Sequence, residues 1–189
     1  MATICGHSFE EFMDMVTRFH GYHAPGVLIG GFMVDLAMSL RPSDNFYEVL
    51  CETSVCLPDA VQLLTPCTFG NGWMKMADVG RFALALFDKK TGAGVRVHVD
   101  ANKLGSYPEI RNWFFKLKPK KDQDTDLLIG EIRSAGRLVL GSAPARMAAA
   151  FIGPGKCGET APCPFCGEAY PVRDGDRCQV CQGRILYER

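Results

Sequence analysis

The sequence has no excess of charge of either sign and no long apolar run. Its 189 residues include 21 Lys and Arg and 21 Asp and Glu. A balanced chain has no bulk field to attract nucleic acid or an anionic membrane, so we expect neither as a partner. No apolar run reaches the length of a membrane span. The first residues also lack a basic segment followed by an apolar one, so we expect a cytoplasmic protein.

Disulfides are not indicated either, although cysteine is abundant. The nine cysteines are odd in number, and four of them form two CxxC pairs. Without a secretory signal, this pattern is typical of metal binding or of reduced thiols.

The two CxxC pairs give the strongest functional signal. In "CPFCGEAYPVRDGDRCQVC" the pairs are Cys163 with Cys166 and Cys178 with Cys181, separated by eleven residues. Each CxxC turn directs both sulfurs to one point, and four thiolates suit tetrahedral zinc in a closed, structural site. So short a module buries too little surface to fold alone, so zinc would supply most of its folding free energy, of order 10 kcal/mol. A redox pair and a rubredoxin-type iron centre are the alternatives.

A glycine- and proline-rich stretch, "IGPGKCGETAP", precedes this module and has the composition of a linker. We therefore predict a core domain over residues 1–152 and a linker with a zinc finger over residues 153–189. Positive and negative side chains balance in the finger, which favours protein contact over nucleic acid. Cys157 is expected to be a spare thiol.

Two helices are predicted at the start of the core. Ser8 and Glu11 fit a capping box, and apolar residues follow at helical spacing until Gly21. Pro25 can open a second helix through about Leu40. Apart from Asp35, that helix is apolar on nearly every face, so it must be buried almost all round. A homodimer would bury it, although helices after Ser106 could cover it within one chain.

The remaining elements follow from local patterns. We predict a strand in "NFYEVLCET", a short helix in "DAVQLL", an irregular loop in "TPCTFGNGW" and a hairpin from "RFALALFD" and "GVRVHVD". Helices are expected in "SYPEIRNWFFKLK", "DTDLLIGEIRSAGRLVL" and "APARMAAAF", with "KPKKDQD" as a solvated loop.

A weaker site signal lies in the core. His20, Cys56 and Cys67 each lie at the end of a predicted element beside Pro or Gly, where side chains often converge on clefts. One histidine and two thiolates would suit zinc and leave a fourth position open for water or substrate. The alternatives are two small buried thiols and a histidine that interacts with the carbonyl end of its helix. His23 is expected to be a turn residue.

Polar groups near the two thiols could support such a site. Asp59 and Gln62 are spaced to share a helix face, where they could orient a ligand. They could equally be a helix N-terminal charge and a solvated amide. The loop from Thr68 to Gly72 carries a hydroxyl and glycines, and such loops can bring backbone N–H groups to an anion. Asp59, Gln62 and Thr68 are therefore the catalytic candidates.

The segments "FHGYHAPGVLIGGFMV", "CLPDAVQLLTPCTFGNGWM" and "DVGRFALALF", with the terminal four-cysteine finger, resemble the FmdE family, which is named for a component of formylmethanofuran dehydrogenase. The resemblance covers nearly the whole chain. The residues that match the family pattern are Phe19, His20, Gly21, Pro25, Gly26, Cys56, Asp59, Ala60, Gln62, Cys67, Thr68, Gly70 and Gly72. The chain departs from the pattern at Tyr22, Ala24, Pro66 and Asn71, where the family usually has histidine, cysteine, glycine and lysine.

The resemblance implies an α+β core with helices on a mixed sheet, followed by a treble-clef-like zinc finger. It also implies association with the molybdenum or tungsten enzyme that fixes carbon dioxide onto methanofuran. Two function classes follow. One is a metal-binding accessory protein of one-carbon, methanogenesis-type metabolism, with the finger contacting a protein partner. The other is a metal-dependent enzyme that uses an open site of His20, Cys56 and Cys67.

Overall fold

The structure is a computed structural model that describes residues 3–42, 44–152 and 158–188. Its contacts divide the chain into two units, Met1–Gly153 and Pro154–Arg189. This division lies one residue after the predicted start of the linker. Cys157 lies outside the described residues, so its expected role as a spare thiol stays a prediction.

The core unit combines five helices with one five-stranded sheet. The helices are α1 (Phe9–His20), α2 (Pro25–Ser39), α3 (Leu57–Leu64), α4 (Pro108–Phe114) and α5 (Thr125–Ala135). The strands are β1 (Tyr47–Cys51), β2 (Met74–Met76), β3 (Ala83–Asp88), β4 (Ala93–Val99) and β5 (Leu140–Arg146). Their order is β2-β1-β3-β4-β5, with β1 and β2 parallel and all other pairs antiparallel. The predicted α+β class with a mixed sheet is confirmed.

The first two helices have the predicted starts. Ser8 and Glu11 form a complete capping box, and α1 ends at Gly21, whose φ of 96° favours glycine. Helix α2 is buried along nearly its whole length within one chain, where it packs on α1, α3, α5 and strands β3 and β4. A second copy is therefore not needed to cover it. The homodimer stays a prediction, but the need to bury α2 no longer supports it.

The sheet is covered on both faces around β3, where every residue is buried. Leu84 and Leu86 belong to the main apolar cluster with α2. Ala85 and Phe87 lie on the other face, where Met147 and Phe151 pack against them. The chain after β5 thus closes the face of the sheet that the helices leave open.

Near the end of the core, one helix prediction was wrong and another extended too far. "APARMAAAF" is not a helix: β5 occupies Leu140–Arg146 and pairs with β4, and only a short 3₁₀ turn, Ala149–Phe151, follows. Pro144 disfavours a helix, and it is tolerated in an edge strand. The helix predicted over residues 124–140 ends at Ala135, because Gly136 takes a φ of 50° and a 3₁₀ turn follows.

The finger unit is small. Its strands β6 (Thr160–Pro162) and β7 (Ala169–Pro171) form an antiparallel pair. Among its described residues, Cys163 and Tyr170 are the only buried apolar side chains. Across all the described residues, no helix combines the length and the hydropathy that crossing a membrane requires.

Candidate functional site

The four cysteines of the finger converge in space. Cys163 follows β6 and Cys166 lies in the turn before β7, where Gly167 donates a hydrogen bond to the Cys163 carbonyl and takes a φ of 78°. With Cys178 and Cys181, their sulfurs all lie within 4.8 Å of one another.

This cluster fits zinc. A tetrahedral ion with Zn–S bonds of about 2.3 Å places its sulfurs about 3.8 Å apart, and the Cys166 and Cys178 sulfurs are 3.8 Å apart. Backbone N–H groups also point at the thiols: the Cys181 N–H donates to the Cys178 sulfur over 3.4 Å. Such bonds, first of all from Cys178, lower the pKa of the Cys163 thiol to about 6. Contacts with the neighbouring cysteines, first of all Cys178, raise the pKa of Cys181 to about 12, and desolvation raises the pKa of Cys166. Cys163 is therefore the member of the set that is shifted towards the thiolate, the form that binds metal.

In the core, the structure brings His20 together with Asp59. His20 ends α1, and Asp59 lies in the first turn of α3. The His20 Nδ1 atom is 2.6 Å from a carboxylate oxygen of Asp59, and both side chains are largely buried. A carboxylate on Nδ1 fixes the orientation of the ring and leaves Nε2 for a ligand or a proton.

Cys56 lies immediately before α3, in an unusual backbone conformation. Its φ is 58°, which is uncommon for a residue with a side chain. Helix α2 comes close at Gly26, where a Cβ atom would lie 2.7 Å from the Cys56 Cβ and 3.0 Å from its sulfur. The absence of a side chain at Gly26 therefore makes room for this thiol. Burial, and then the nearby Asp59 carboxylate, raise the pKa of Cys56, so it stays a neutral thiol at neutral pH.

A cavity of about 1030 Å³ opens beside Cys56. The turn between α1 and α2 forms one side of it, through Tyr22 to Gly26. The aromatic side chains of Phe82, Trp113 and Phe114 form a second side. The segment after α4 contributes three lysines, Lys116, Lys118 and Lys120.

Cys67 belongs to a different environment. Its thiol is fully buried and contacts the Tyr47 carbonyl oxygen over 3.6 Å, and burial raises its pKa to about 11. Among the described residues, only the four finger cysteines form a set of three or more potential metal ligands with their ligating atoms mutually within 4.8 Å. The structure thus does not assemble His20, Cys56 and Cys67 into one ligand set.

Gln62 and Thr68 serve the loop between α3 and β2. The Gln62 side chain accepts a hydrogen bond from the Phe69 N–H, and the Thr68 hydroxyl accepts one from the Asn71 N–H. Asn71 also accepts from the Thr68 and Trp73 N–H groups and donates to the Pro66 carbonyl. Because these donors are used inside the loop, the structure gives Thr68 and Gln62 a role in loop folding and leaves few N–H groups for an anion.

Two residues of the turn after α1 line the cavity. Tyr22, a departure from the family pattern, packs its ring 5.0 Å from that of His20, and His23 lines the cavity as a half-buried residue. Sequence reasoning missed the aromatic wall and the lysines, because "KPKKDQD" has the composition of a solvated loop. The alternation of Lys116, Lys118 and Lys120 directly after "NWFF" is the signal that could have found them.

Comparisons with known proteins support the fold and identify the family. A crystal structure of a tungsten formylmethanofuran dehydrogenase FmdE-like protein from Syntrophus aciditrophicus is 49% identical to the chain, with a TM-score of 0.90 and 100% of both chains covered. A probable S-adenosyl-L-methionine-binding protein from Archaeoglobus fulgidus is 33% identical over 98 residues, which are 48% of this chain and only 27% of that relative.

Family models cover both units. The model described as FmdE, molybdenum formylmethanofuran dehydrogenase operon, matches residues 19–148. The model described as FmdE treble clef zinc finger matches residues 154–188, which contain the four converging cysteines. From Phe19 to the end of the finger, therefore, the chain belongs to the FmdE family.

Proposed function

We propose that the chain is a zinc-containing accessory protein of one-carbon, methanogenesis-type metabolism, with a structural finger that contacts a protein partner and a core that holds a small ligand beside Cys56. The observation that carries the proposal is the closed set of four finger sulfurs within 4.8 Å. Such a set has no open position for substrate, so its zinc acts on folding and assembly.

The surface of the finger supports the role in protein contact. Phe165, Ile185 and Tyr187 are each at least 66% exposed. Large exposed apolar side chains on so small a unit are typical of an interaction surface. The association of the family with the formylmethanofuran dehydrogenase operon makes a molybdenum or tungsten formylmethanofuran dehydrogenase the proposed partner.

The core supports a ligand site rather than the predicted three-ligand metal site. Cys56 lines the cavity, and the ring of His20 packs against Tyr22, which lines it too. Cys67 is instead buried against Tyr47. A metal-dependent enzyme that used all three residues would need the chain to bring Cys67 to the other two.

Metal analysis of the purified full chain tests the zinc assignment. We expect about one zinc per chain, lost in Cys163→Ser and retained in Cys56→Ser. Cys51→Ser is the matched control, because Cys51 is a buried thiol outside both sites. A second metal that disappears in Cys56→Ser would overturn the small-ligand assignment in favour of a core metal. A full chain without metal would overturn the structural zinc.

A binding measurement tests the partner. Purified formylmethanofuran dehydrogenase, immobilised on a sensor, should bind the full chain and lose that binding when the chain carries Cys163→Ser. Retention by Cys56→Ser would assign the contact to the finger. Equal binding by Cys163→Ser and the unmodified chain would contradict a role for the finger. Light scattering of the free chain, against a monomer mass of 20.8 kDa, decides whether it is a homodimer.

A further inference from the structure

The cavity beside Cys56 is lined by cations and flat apolar rings. Lys116, Lys118 and Lys120 line it, and no Asp or Glu is among its lining residues within the described part of the chain. Trp113, Phe82 and Phe114 contribute the aromatic wall, and their rings stand edge to face or tilted against one another. Positive charge and aromatic surface thus face the same space.

The three lysines differ in how much of their charge is already paired. Lys118 donates a hydrogen bond to Glu109 over 2.8 Å, so this ion pair largely neutralises its charge. Lys120 lies over the Tyr22 ring at 5.6 Å, a contact that leaves its charge uncompensated. The Lys116 side chain has no ion-pair or hydrogen-bond partner among the described residues, and its φ of 54° is uncommon outside glycine. Two uncompensated cations therefore line the cavity.

We infer that the cavity takes a planar organic anion, with its ring system against Trp113 and its negative group paired with Lys116 and Lys120. A flat ring gains both apolar burial and stacking against the indole. The anionic group gains charge-assisted hydrogen bonds from the two lysines. The neutral Cys56 thiol adds no competing negative charge at neutral pH. This inference rests on the ligand-binding core of the proposed function and names the class of ligand.

Two dyes that differ by one charged group test the inference. The first is 8-anilino-1-naphthalenesulfonate, an anion built on a flat naphthalene ring, and the second is N-phenyl-1-naphthylamine, which has the same aromatic frame without the sulfonate. Titration of the full chain with each, followed by dye fluorescence, should show tighter binding of the sulfonate. Added sodium chloride should weaken binding of the sulfonate and leave the neutral dye unchanged.

Variants of the full chain locate the two contacts. Lys116→Gln and Lys120→Gln should each weaken sulfonate binding by about 3- to 10-fold and change the neutral dye by less than about 2-fold. Lys121→Gln is the matched control, because Lys121 is an exposed neighbour of Lys120 that does not line the cavity. Trp113→Leu should weaken both dyes, and the exposed lysine variants carry the test if Trp113→Leu fails to fold.

The outcomes separate this inference from the proposed function. If both dyes bind equally well, or if Lys121→Gln weakens the sulfonate as much as Lys116→Gln does, the anion assignment is overturned while a ligand site remains. If Trp113→Leu folds and leaves both dyes unaffected, the dyes bind elsewhere and the cavity assignment fails. If neither dye binds, the ligand-binding core also fails, and the zinc measured on the finger is untouched by that result.

Discussion

The core buries apolar side chains from all five of its helices and from its sheet, whereas the finger buries only Cys163 and Tyr170 among its described residues. The core can thus draw its stability from apolar burial, which is independent of any metal. The finger has too little apolar surface for that, so we expect it to depend on bonds to an ion. Within one chain, we therefore expect cysteine to stabilise by two routes: as a small buried side chain in the core and as a ligand in the finger.

The largest expected effect breaks the finger and spares the core. Chelation of zinc, or Cys178→Ser, should unfold the finger, because it removes metal binding worth of order 10 kcal/mol. Nuclear magnetic resonance of the full chain should then show the signals of β6 and β7 collapse while those of the core keep their positions. Cys51→Ser is the control that leaves the zinc ligands intact. If the core signals collapse on chelation as well, the two units share one source of stability.

The next largest effect tests how much the close packing of α2 contributes to the stability of the core. At Gly30 in α2, a Cβ atom would lie 2.8 Å from the Ala60 Cβ. Gly30→Ala should therefore lower the free energy of unfolding by about 1–3 kcal/mol, in spite of the better helix propensity of alanine. Denaturant titration of the core transition measures it.

Gly130→Ala is the matched control for that substitution. Gly130 also lies inside a helix, α5, but a Cβ there would meet nothing within 4 Å. This change should raise the free energy of unfolding by about 0.5–1 kcal/mol. If both alanines stabilise the core, the close approach of α2 and α3 is not a constraint on the fold.

The parts of the fold that sequence predicts well have local causes. The capping box of Ser8 with Glu11 and the stop at Gly21 set the ends of α1, and these signals need only nearby residues. The hairpin of β3 and β4 follows equally from its alternating pattern. The cluster of four finger cysteines can also be predicted from sequence, because the spacing of the CxxC pairs nearly determines their geometry.

The features that could not be predicted from sequence depend on contacts between residues far apart in the chain. Strand β5 pairs along the edge of β4, and no feature of the β5 segment itself predicts that partner. In the candidate site, His20 and Asp59 were both candidates, but their contact was not predicted, because the two lie 39 residues apart. The position of Cys67 and Cys56 at the ends of predicted elements favours a shared site, but the fold turns the Cys67 thiol towards Tyr47.

A smaller effect is the pH dependence of stability that a buried, protonated core thiol causes and a metal-bound thiolate does not. Burial raises the pKa of Cys51 from 9.0 to about 12. Because the folded state holds this proton more tightly than the unfolded chain, the stabilisation is present below pH 9 and is lost as pH rises towards 12. At pH 10 the loss is about 1 kcal/mol. Cys51→Ala should therefore reduce the alkaline decrease in the free energy of unfolding, measured by denaturant titration between about pH 8 and 10. A decrease unchanged by Cys51→Ala would contradict the cause.

The smallest effect leaves stability unchanged and asks only which thiols react. Cys67 is fully buried, so a maleimide reagent should not modify it in the folded core, with or without chelator. Cys56 is half-buried beside the cavity and should react slowly at neutral pH, because its pKa is raised, and faster as pH increases. Half-buried Cys5, whose pKa is raised to about 11, is the comparison thiol in the same unit.

Peptide mapping after timed labelling measures the reactivity of all these thiols in one sample. It also measures the finger cysteines, which should become reactive only when zinc is removed. If chelator exposes Cys56 and Cys67 together, a shared metal protects them in solution, and the core would have to be described, like the finger, as a metal-stabilised unit.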